Sequence, residues 1–418
     1  MRWRFSFALV AVLLMSITSA SAQPLTQRGF VEVNGIGFFE NAPNDSTQAV
    51  VNLLAREELF AKPTDWLQFA GGIDMRANSH DEVDGRWTFD VSDRGVRRPR
   101  LALRRLTATV TRGPVTIDIG KQFIRWGTTD IVTPTDRFAP KDFLDPLNTD
   151  FLGVTALRTV ARVNDETFDV VWTPRMTPSR IPLLDQRWTN VPPEGQGLPL
   201  REAETSVPNG SQFGLRWGHT QGSLEYSFSF FNGFNHLPDI APQVVTRPDA
   251  PTVPVAIDIA RIYPPIRTFG GDMSLPMPWL TLKAEAAYVT TSSSASDEYG
   301  LYVVQLERQR GEWMFIGGYA GEIVSRRAAF DTFAPDRGTS QSVLGRAALT
   351  IDVNRSLAFE TAVRQNLHGA YGKAEFSQAS GQHWRVTATG VVLIGRDDDF
   401  FGQYRRNSHA MLTARYSF

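Results

Sequence analysis

From Phe30 to Phe418 the chain repeats one pattern: about ten residues of alternating apolar and polar positions, then a break. In SLEYSFSFF, Leu224, Tyr226, Phe228 and Phe230 fall on one face and Glu225, Ser227 and Ser229 on the other. LTLKAEAAY sets Leu280, Leu282, Ala284, Ala286 and Tyr288 against Lys283 and Glu285. SLAFETAVRQN sets Leu357, Phe359 and Val363 against Glu360 and Arg364. HWRVTATGVVLIG sets Trp384, Val386, Ala388, Val392 and Ile394 against Arg385, Thr387 and Thr389. A helix would repeat its apolar face every 3.6 residues, and these segments do not.

The breaks alternate in length. Short ones fall at 61–65, 112–114, 164–166, 219–222, 276–279, 310–312, 353–356 and 379–382. Long ones fall near 41–48, 77–98, 126–152, 175–209, 236–265, 292–298, 325–341, 368–371 and 396–407. Eight turns and nine loops join eighteen strands, with sixteen as the alternative count. A soluble sandwich also alternates apolar and polar residues, but a regular succession of short turns and long loops is the grammar of a membrane barrel. The pattern predicts an all-β fold: a transmembrane, antiparallel, up-and-down β-barrel of about 18 strands, with both termini on the short-turn, periplasmic side. Only helices and closed barrels satisfy every backbone group in lipid. The chain after its N-terminal segment has no apolar run near the ~20 residues a helix needs.

Both ends bear on this expectation. MRWRFSFALVAVLLMSITSASAQ places Arg2 and Arg4 before an apolar stretch and ends in Ala20-Ser21-Ala22, which reads as a secretory signal cleaved near Ala22. Residues 23–418 are then one outer-membrane barrel domain. At the other end Leu412, Ala414, Tyr416 and Phe418 alternate with Met411, Thr413, Arg415 and Ser417 up to the last residue. This final strand is expected to close the barrel against the first. Trp66, Trp172, Trp279, Trp313, Trp384 and Tyr288 stand at segment ends, where interfacial aromatic girdles would lie.

Composition narrows the function. The chain has no cysteine, which leaves out disulfides, Cys-ligated zinc and thiol catalysis. Loss of Arg2 and Arg4 leaves 41 basic against 44 acidic residues, a formal charge of −3. Nothing in that balance favours nucleic acid as a partner.

If the apolar face meets lipid, the opposite face lines a lumen. Its charged candidates are Asp118, Arg158, Arg162, Asp169, Arg216, Glu225, Asp272, Lys283, Glu285, Arg346, Asp352, Glu360, Arg364, Arg385 and Arg415. Charges this dense must be wet or paired, and eighteen strands enclose a bore wide enough for water.

One stretch breaks the alternation in an informative way: IDIGKQFIRWGTTDIVTPTDRFAPKDFLDPLNTDF. It begins as a strand and becomes the third outer loop (126–152), stiffened by Pro134, Pro140 and Pro146 and punctuated by Asp130, Asp136, Asp142, Asp145 and Asp150. Arg125, Arg137 and Lys141 belong to the same stretch. Just upstream, RGVRRPRLALRR carries Arg94, Arg97, Arg98, Arg100, Arg104 and Arg105. The expected arrangement is a constriction with arginines on the wall facing aspartates on an inward loop. The alternation falters at Arg105 and Leu106, as at a β-bulge.

The closing stretch resembles the last strand of bacterial outer-membrane proteins. That resemblance implies that Tyr416 and Phe418 are read by the barrel-assembly machinery. The whole pattern resembles the general porins, whose third loop folds inward and narrows the channel. The GKQFIRWG…D…TP-D run looks like a segment of porin-like and alginate-export-like outer-membrane families. These resemblances imply residence in the outer membrane, contact with lipid and lipopolysaccharide, small solutes as cargo and a possible homo-trimer.

Catalytic constellations are not legible. His80, His219, His236, His368, His383 and His409 are scattered without metal-ligand spacing. No G-x-S-x-G elbow, Walker loop or dinucleotide fingerprint occurs. The sequence therefore points away from an enzyme and from any cofactor. It points to a channel passing small polar or amphipathic solutes through a charged, water-filled lumen. The alternative is a plugged or gated barrel with an export or structural role. The long loops at 175–209 and 236–265 could serve as a lid, a receptor surface or a partly disordered rim.

Overall fold

The structure, a computed structural model, describes residues 25–190, 197–203, 205–328 and 335–418. The predicted signal segment, residues 1–22, lies outside the described residues, as do parts of the fourth and seventh outer loops. β1 (Leu25–Phe38), β2 (Ala49–Thr64) and β3 (Leu67–Asn78) follow one another in the wall. A two-residue strand, β4 (Phe89–Asp90), precedes β5 (Leu101–Arg112) and β6 (Val115–Gln122). The third outer loop carries β7 (Lys141–Asp142) and β8 (Asp150–Phe151), after which β9 (Val154–Val163) and β10 (Glu166–Thr173) resume the wall. β11 (Leu200–Glu202) belongs to the fourth loop, and β12 (Gln212–Gln221) and β13 (Leu224–Phe234) return to the wall. The fifth loop holds β14 (Asp239–Arg247) and β15 (Ala250–Ile262).

The rest of the wall is regular. β16 (Pro265–Pro276), β17 (Thr281–Thr291), β18 (Glu298–Arg310), β19 (Trp313–Arg326) and β20 (Ser342–Thr350) run up and down in turn. They are followed by β21 (Arg355–Arg364), β22 (Gly369–Ser380), β23 (Trp384–Gly395) and β24 (His409–Ser417). Eighteen antiparallel strands form the closed barrel, with β4 as one extra strand in the same sheet. β24 pairs with β1 from Phe30↔Ser417 to Phe38↔His409 and so closes the cylinder.

Short turns join the strands where the sequence placed them. Several need a residue with positive φ, and the chain supplies Gly113, Asn164, Gly222, Gly311 and Gly381. The faces also follow the alternation. Phe228, Phe269, Leu412 and Leu106 point outward and stay exposed, while Asp169, Glu285 and Gln305 point inward and are buried. This is the reverse of a soluble protein, and the apolar exterior calls for hydrocarbon around it.

One part of the wall needs repair. β6 pairs with β5 only from Leu106 downward, because beyond Gln122 the chain turns into the lumen. β4 fills the gap, pairing in parallel at Phe89↔Leu101 and Asp90↔Ala102. Lys121, 3% exposed, completes the patch: Nζ donates to the carbonyls of Leu103 (2.6 Å) and Val91 (3.0 Å) and to Asp93 (2.5 Å).

One expectation is corrected, and one segment that the sequence left open takes a definite form. Asp352 is not lumenal: it lies in the turn after β20, beyond the end of the strand, and pairs with Arg355 at 2.6 Å. The proline-rich 236–265 segment, which the sequence left open as a lid, a receptor surface or a partly disordered rim, is regular in its backbone. It is an antiparallel hairpin, with β11 added in parallel beside β15, and its register slips only between Val245 and Arg247, near prolines that lack a donor.

A seam test follows. Val33 and Ala414 are direct cross-strand partners, at a separation a disulfide can span. Oxidising a Val33→Cys, Ala414→Cys variant is expected to link the termini, read as altered mobility of the heat-denatured, unreduced chain. An unlinked pair would contradict this closure.

Candidate functional site in the lumen

The wall prepares the inward turn near the end of β6, at Gly120, whose φ of +121° favours glycine and where a Cβ would lie 2.1 Å from the carbonyl oxygen of Leu106. The loop's own fold depends on Asp136, whose Oδ1 accepts the backbone N–H groups of Trp126 (2.6 Å) and Gly127 (2.7 Å). Arg137 turns back onto the carbonyl of Pro134. These bonds keep the segment compact before it meets the wall.

Its main wall contact is Glu285 on β17, 2% exposed. The carboxylate accepts the N–H groups of Thr128 (2.9 Å), Thr129 (3.1 Å) and Thr135 (2.8 Å) and the hydroxyls of Thr129 and Thr135, both at 2.8 Å. Burying a bare carboxylate costs several kcal/mol. Five neutral donors offset that cost here, so Glu285 is neither wet nor ion-paired, as the sequence had suggested for every lumen charge. Neighbouring contacts extend the docking. Trp126 Nε1 donates to Asp169 (2.9 Å), which Arg158 also holds, and Thr128 Oγ1 donates to Asp272 (2.7 Å), which pairs with Arg216. Asp130 takes Lys283 (3.2 Å) and the Gln305 amide (2.5 Å). A Cβ on Gly214 would overlap the rings of Phe138 and Trp126, and one on Gly270 would overlap Thr135. Glycine there lets the loop lie flush against the wall.

The opposite side of the lumen is cationic. The β3–β5 register skips Arg104, from Gly72↔Arg105 to Ile73↔Leu103. This bulge turns two consecutive arginines to the inside, and both stack on Phe123, at 4.8 and 5.1 Å. Arg104 pairs with Asp150 of the inner loop (2.8 Å), and so does Arg56 (2.8 Å). Arg56 and Arg76 share Asp74, each at 2.7 Å. Further out, Arg98 joins Glu82 (2.5 Å) and Asp142 (2.9 Å). Arg180 bridges Asp93 (2.8 Å) and Asp142 (3.3 Å). Burial opposes ionisation of Asp150, but Arg104 and Arg56 outweigh it and hold the carboxyl at about 2. Arg98 and Arg180 likewise hold Asp142 far below the usual carboxylate range against its burial.

The predicted constriction residues divide accordingly. Arg98, Arg104, Lys141 and Asp142 meet on the cationic side, Lys141 with its ammonium 5.2 Å from the Phe151 ring. Arg100 lies over Trp87 (4.9 Å) and Arg125 over Phe151 (4.6 Å). Asp130 and Asp136 do not face the arginine ladder; one docks on the far wall and the other staples its own loop. Asp118 accepts the hydroxyl of Thr109 (2.5 Å) within the wall. Asp145 accepts the N–H of Leu147 (3.1 Å). Among the lumen candidates, Arg415 pairs with Glu32 (2.5 Å) and Arg385 reaches Ser377. Arg346 and Glu360 are cross-strand partners, and Arg364 ties Asp399 and two loop carbonyls at the outer rim. Phe418 exchanges backbone bonds with Gly29, both at 3.0 Å. The sequence reading missed Arg56, Asp74, Arg76, Glu82, Asp93, Lys121 and Arg180. Arg56, Asp74 and Arg76 were within reach of the period-two pattern, since they alternate with outward Leu53, Leu59 and Ile73.

No family model and no curated protein sequence matches this chain. Solved structures do match in fold. A BenF-like porin from Pseudomonas fluorescens Pf-5 superposes with a TM-score of 0.55 at 10% identity, over 95% of this chain and 98% of that one. OccAB4 of Acinetobacter baumannii gives 0.53 at 9% identity, over 94% and 97%. OpdQ of Pseudomonas aeruginosa gives 0.52 at 8%, over 96% and 99%. At such identities the likeness is one of architecture, a bacterial porin barrel along nearly the whole of both chains.

Two outcomes are expected. Glu285→Ala leaves buried donors unmatched and should weaken loop docking by roughly 3 kcal/mol. Limited proteolysis of the folded barrel should then cut within 123–153, and unchanged resistance would refute the anchor. His236 is buried beside Ser179, 2.8 Å from Nδ1; burial first, then Arg137 and Lys141, push it down to about 3. An unfolded histidine titrates at about 6.5, so the unfolded chain takes the proton first as pH falls. Local stability should drop by about 2 kcal/mol from pH 7 to pH 5, read by hydrogen exchange around 235–240 and abolished in His236→Gln.

Proposed function

We propose that the protein is an outer-membrane channel for passive diffusion of small polar or amphipathic solutes. One observation carries this: inside an apolar-surfaced closed barrel, a rigidly docked inner loop stands opposite a wall of arginines. Arg56, Arg104 and Arg105 lie on the wall side, and Asp150 of the loop faces them. Opposed charges at close range in a narrowed bore make a transverse field, which orients dipolar solutes and discriminates ions. Arg105, which stacks on Phe123 beside Arg104, leaves the wall biased toward cation character. The porin neighbours support the same reading, since their architecture is this one. The apolar belt would sit in lipid and lipopolysaccharide, and Tyr416 with Phe418 would serve the assembly machinery as the terminal signal.

A second reading, a gated or plugged barrel, is favoured by the filling of the outer half of the lumen. Ile124, Val132, Phe138 and Leu144 of the third loop and Met176 and Arg180 of the fourth are all buried there.

Neutralising both bulge arginines tests the channel reading. Arg104→Gln with Arg105→Gln should lower the anion-over-cation permeability ratio by about twofold or more, measured as reversal potential in a salt gradient. Asp150 keeps Arg56 in this variant, so the loop stays held. An unchanged reversal potential would remove these residues from the selectivity site.

A further inference from the structure

The fourth outer loop springs from β10 and β12, the seventh and eighth strands around the wall. Its segment 183–190 makes its contacts on the first, second and ninth loops, which lie four to eight strands away around the eighteen-strand wall. Asn44 Nδ2 in the first loop donates to the carbonyls of Leu184 (3.2 Å) and Gln186 (2.7 Å). Gln186 Nε2 donates to the carbonyl of His80 (2.6 Å) in the second loop. Arg187 donates to the carbonyls of Thr47 (2.6 Å), Glu40 (2.5 Å) and Arg406 (2.9 Å), and its guanidinium lies 4.0 Å over Phe38. From the ninth loop, Asn407 Nδ2 donates to the carbonyl of Arg187 (3.0 Å), and Tyr404 packs on Trp188.

These bonds differ in kind from those of the inner loop. Among the described residues, Arg187 is held by carbonyls and not by a carboxylate. The neutral bonds contribute about 0.5–1.5 kcal/mol net each and those of the Arg187 guanidinium about 1.5–3, and all of these groups can be rehydrated when the segment lifts into water. The inner loop, by contrast, cannot leave Glu285 without stranding a charge. Gln186, Arg187 and Trp188 also roof a lumen cavity of about 310 Å3, whose walls include Asn34, Arg56, Asp145 and Arg415. A solute moving along the arginine wall has to pass this roof.

We propose that residues 183–190 are a gate: a strap that closes the outer mouth and lifts from the first, second and ninth loops to admit solutes. It rests on the channel reading and adds its regulation. Permeation then depends on the strap's release, while the inner loop stays fixed and sets selectivity.

The cysteine-free chain allows a clean test. Asn44→Cys with Gln186→Cys, refolded and placed in a planar bilayer, is bridged with a short bis-methanethiosulfonate, the bridge being verified by mass spectrometry. Conductance steps should disappear on bridging and return on reduction with dithiothreitol. Each single-cysteine variant, treated alike, should conduct throughout. A bridged protein that conducts as the reduced one does overturns the gate. A folded, unbridged protein that never conducts instead removes the channel reading, and the gate with it. Arg187→Ala gives an independent measure: losing three donors should lengthen open dwell times, and unchanged dwell times contradict the strap.

Discussion

Backbone hydrogen bonding in hydrocarbon is the constraint on which the rest of this molecule depends. An N–H or C=O facing lipid has no water to turn to, so the sheet must close, and the terminal strands β1 and β24 do close it. Closure dictates the faces, since side chains that alternate along each strand then meet lipid or lumen by turns. It also dictates the patch beside β5. Where β6 swings inward as the inner loop, the wall would expose an open edge. β4 and the buried Lys121 ammonium occupy that edge. The path of the third loop and the extra strand in the wall are thus two consequences of one requirement.

Inside, electrostatics decides what is fixed and what can move. Glu285 gathers five donors from the inner loop, and a buried carboxylate cannot be abandoned cheaply. On the other wall a chain of ion pairs runs from Lys121 through Asp93, Arg180, Asp142 and Arg98 to Glu82. It ties the second, third and fourth loops together. Among the described residues the crossing segment 183–190 makes no such ion pair, and its Arg187 relies on carbonyl acceptors. Rigidity at the narrowing and looseness at the mouth therefore follow from which side chains each loop happens to carry.

Much of the barrel was legible because period-two alternation is a local property. Strand number, turn positions and the outward face of Phe228 or Leu412 all come from neighbours in sequence, and so does the bulge, read at Arg105 and Leu106 and found one residue earlier at Arg104. What was illegible depended on which loop meets which wall. Asp130 and Asp136 look equivalent to Asp142 and Asp150 along the chain, yet of these four only the latter two meet the arginines of the 94–105 ladder. Glu285 reads as one more lumen charge until Thr128, Thr129 and Thr135 arrive from far away in sequence. Asp352 was misplaced because a turn residue next to a strand continues the alternation by chance. The hairpin at 239–262 was hidden by its prolines, which disfavour strands but here sit at exposed positions such as Pro242, Pro251 and Pro254.

The central claim is that this barrel is an open-able aqueous path, and single-channel recording of the refolded mature protein tests it most directly. The account predicts discrete, stable conductance steps and a non-zero reversal potential in a salt gradient. A correctly folded barrel, with its closed seam verified, that inserts into the bilayer and passes no current at any voltage would contradict it.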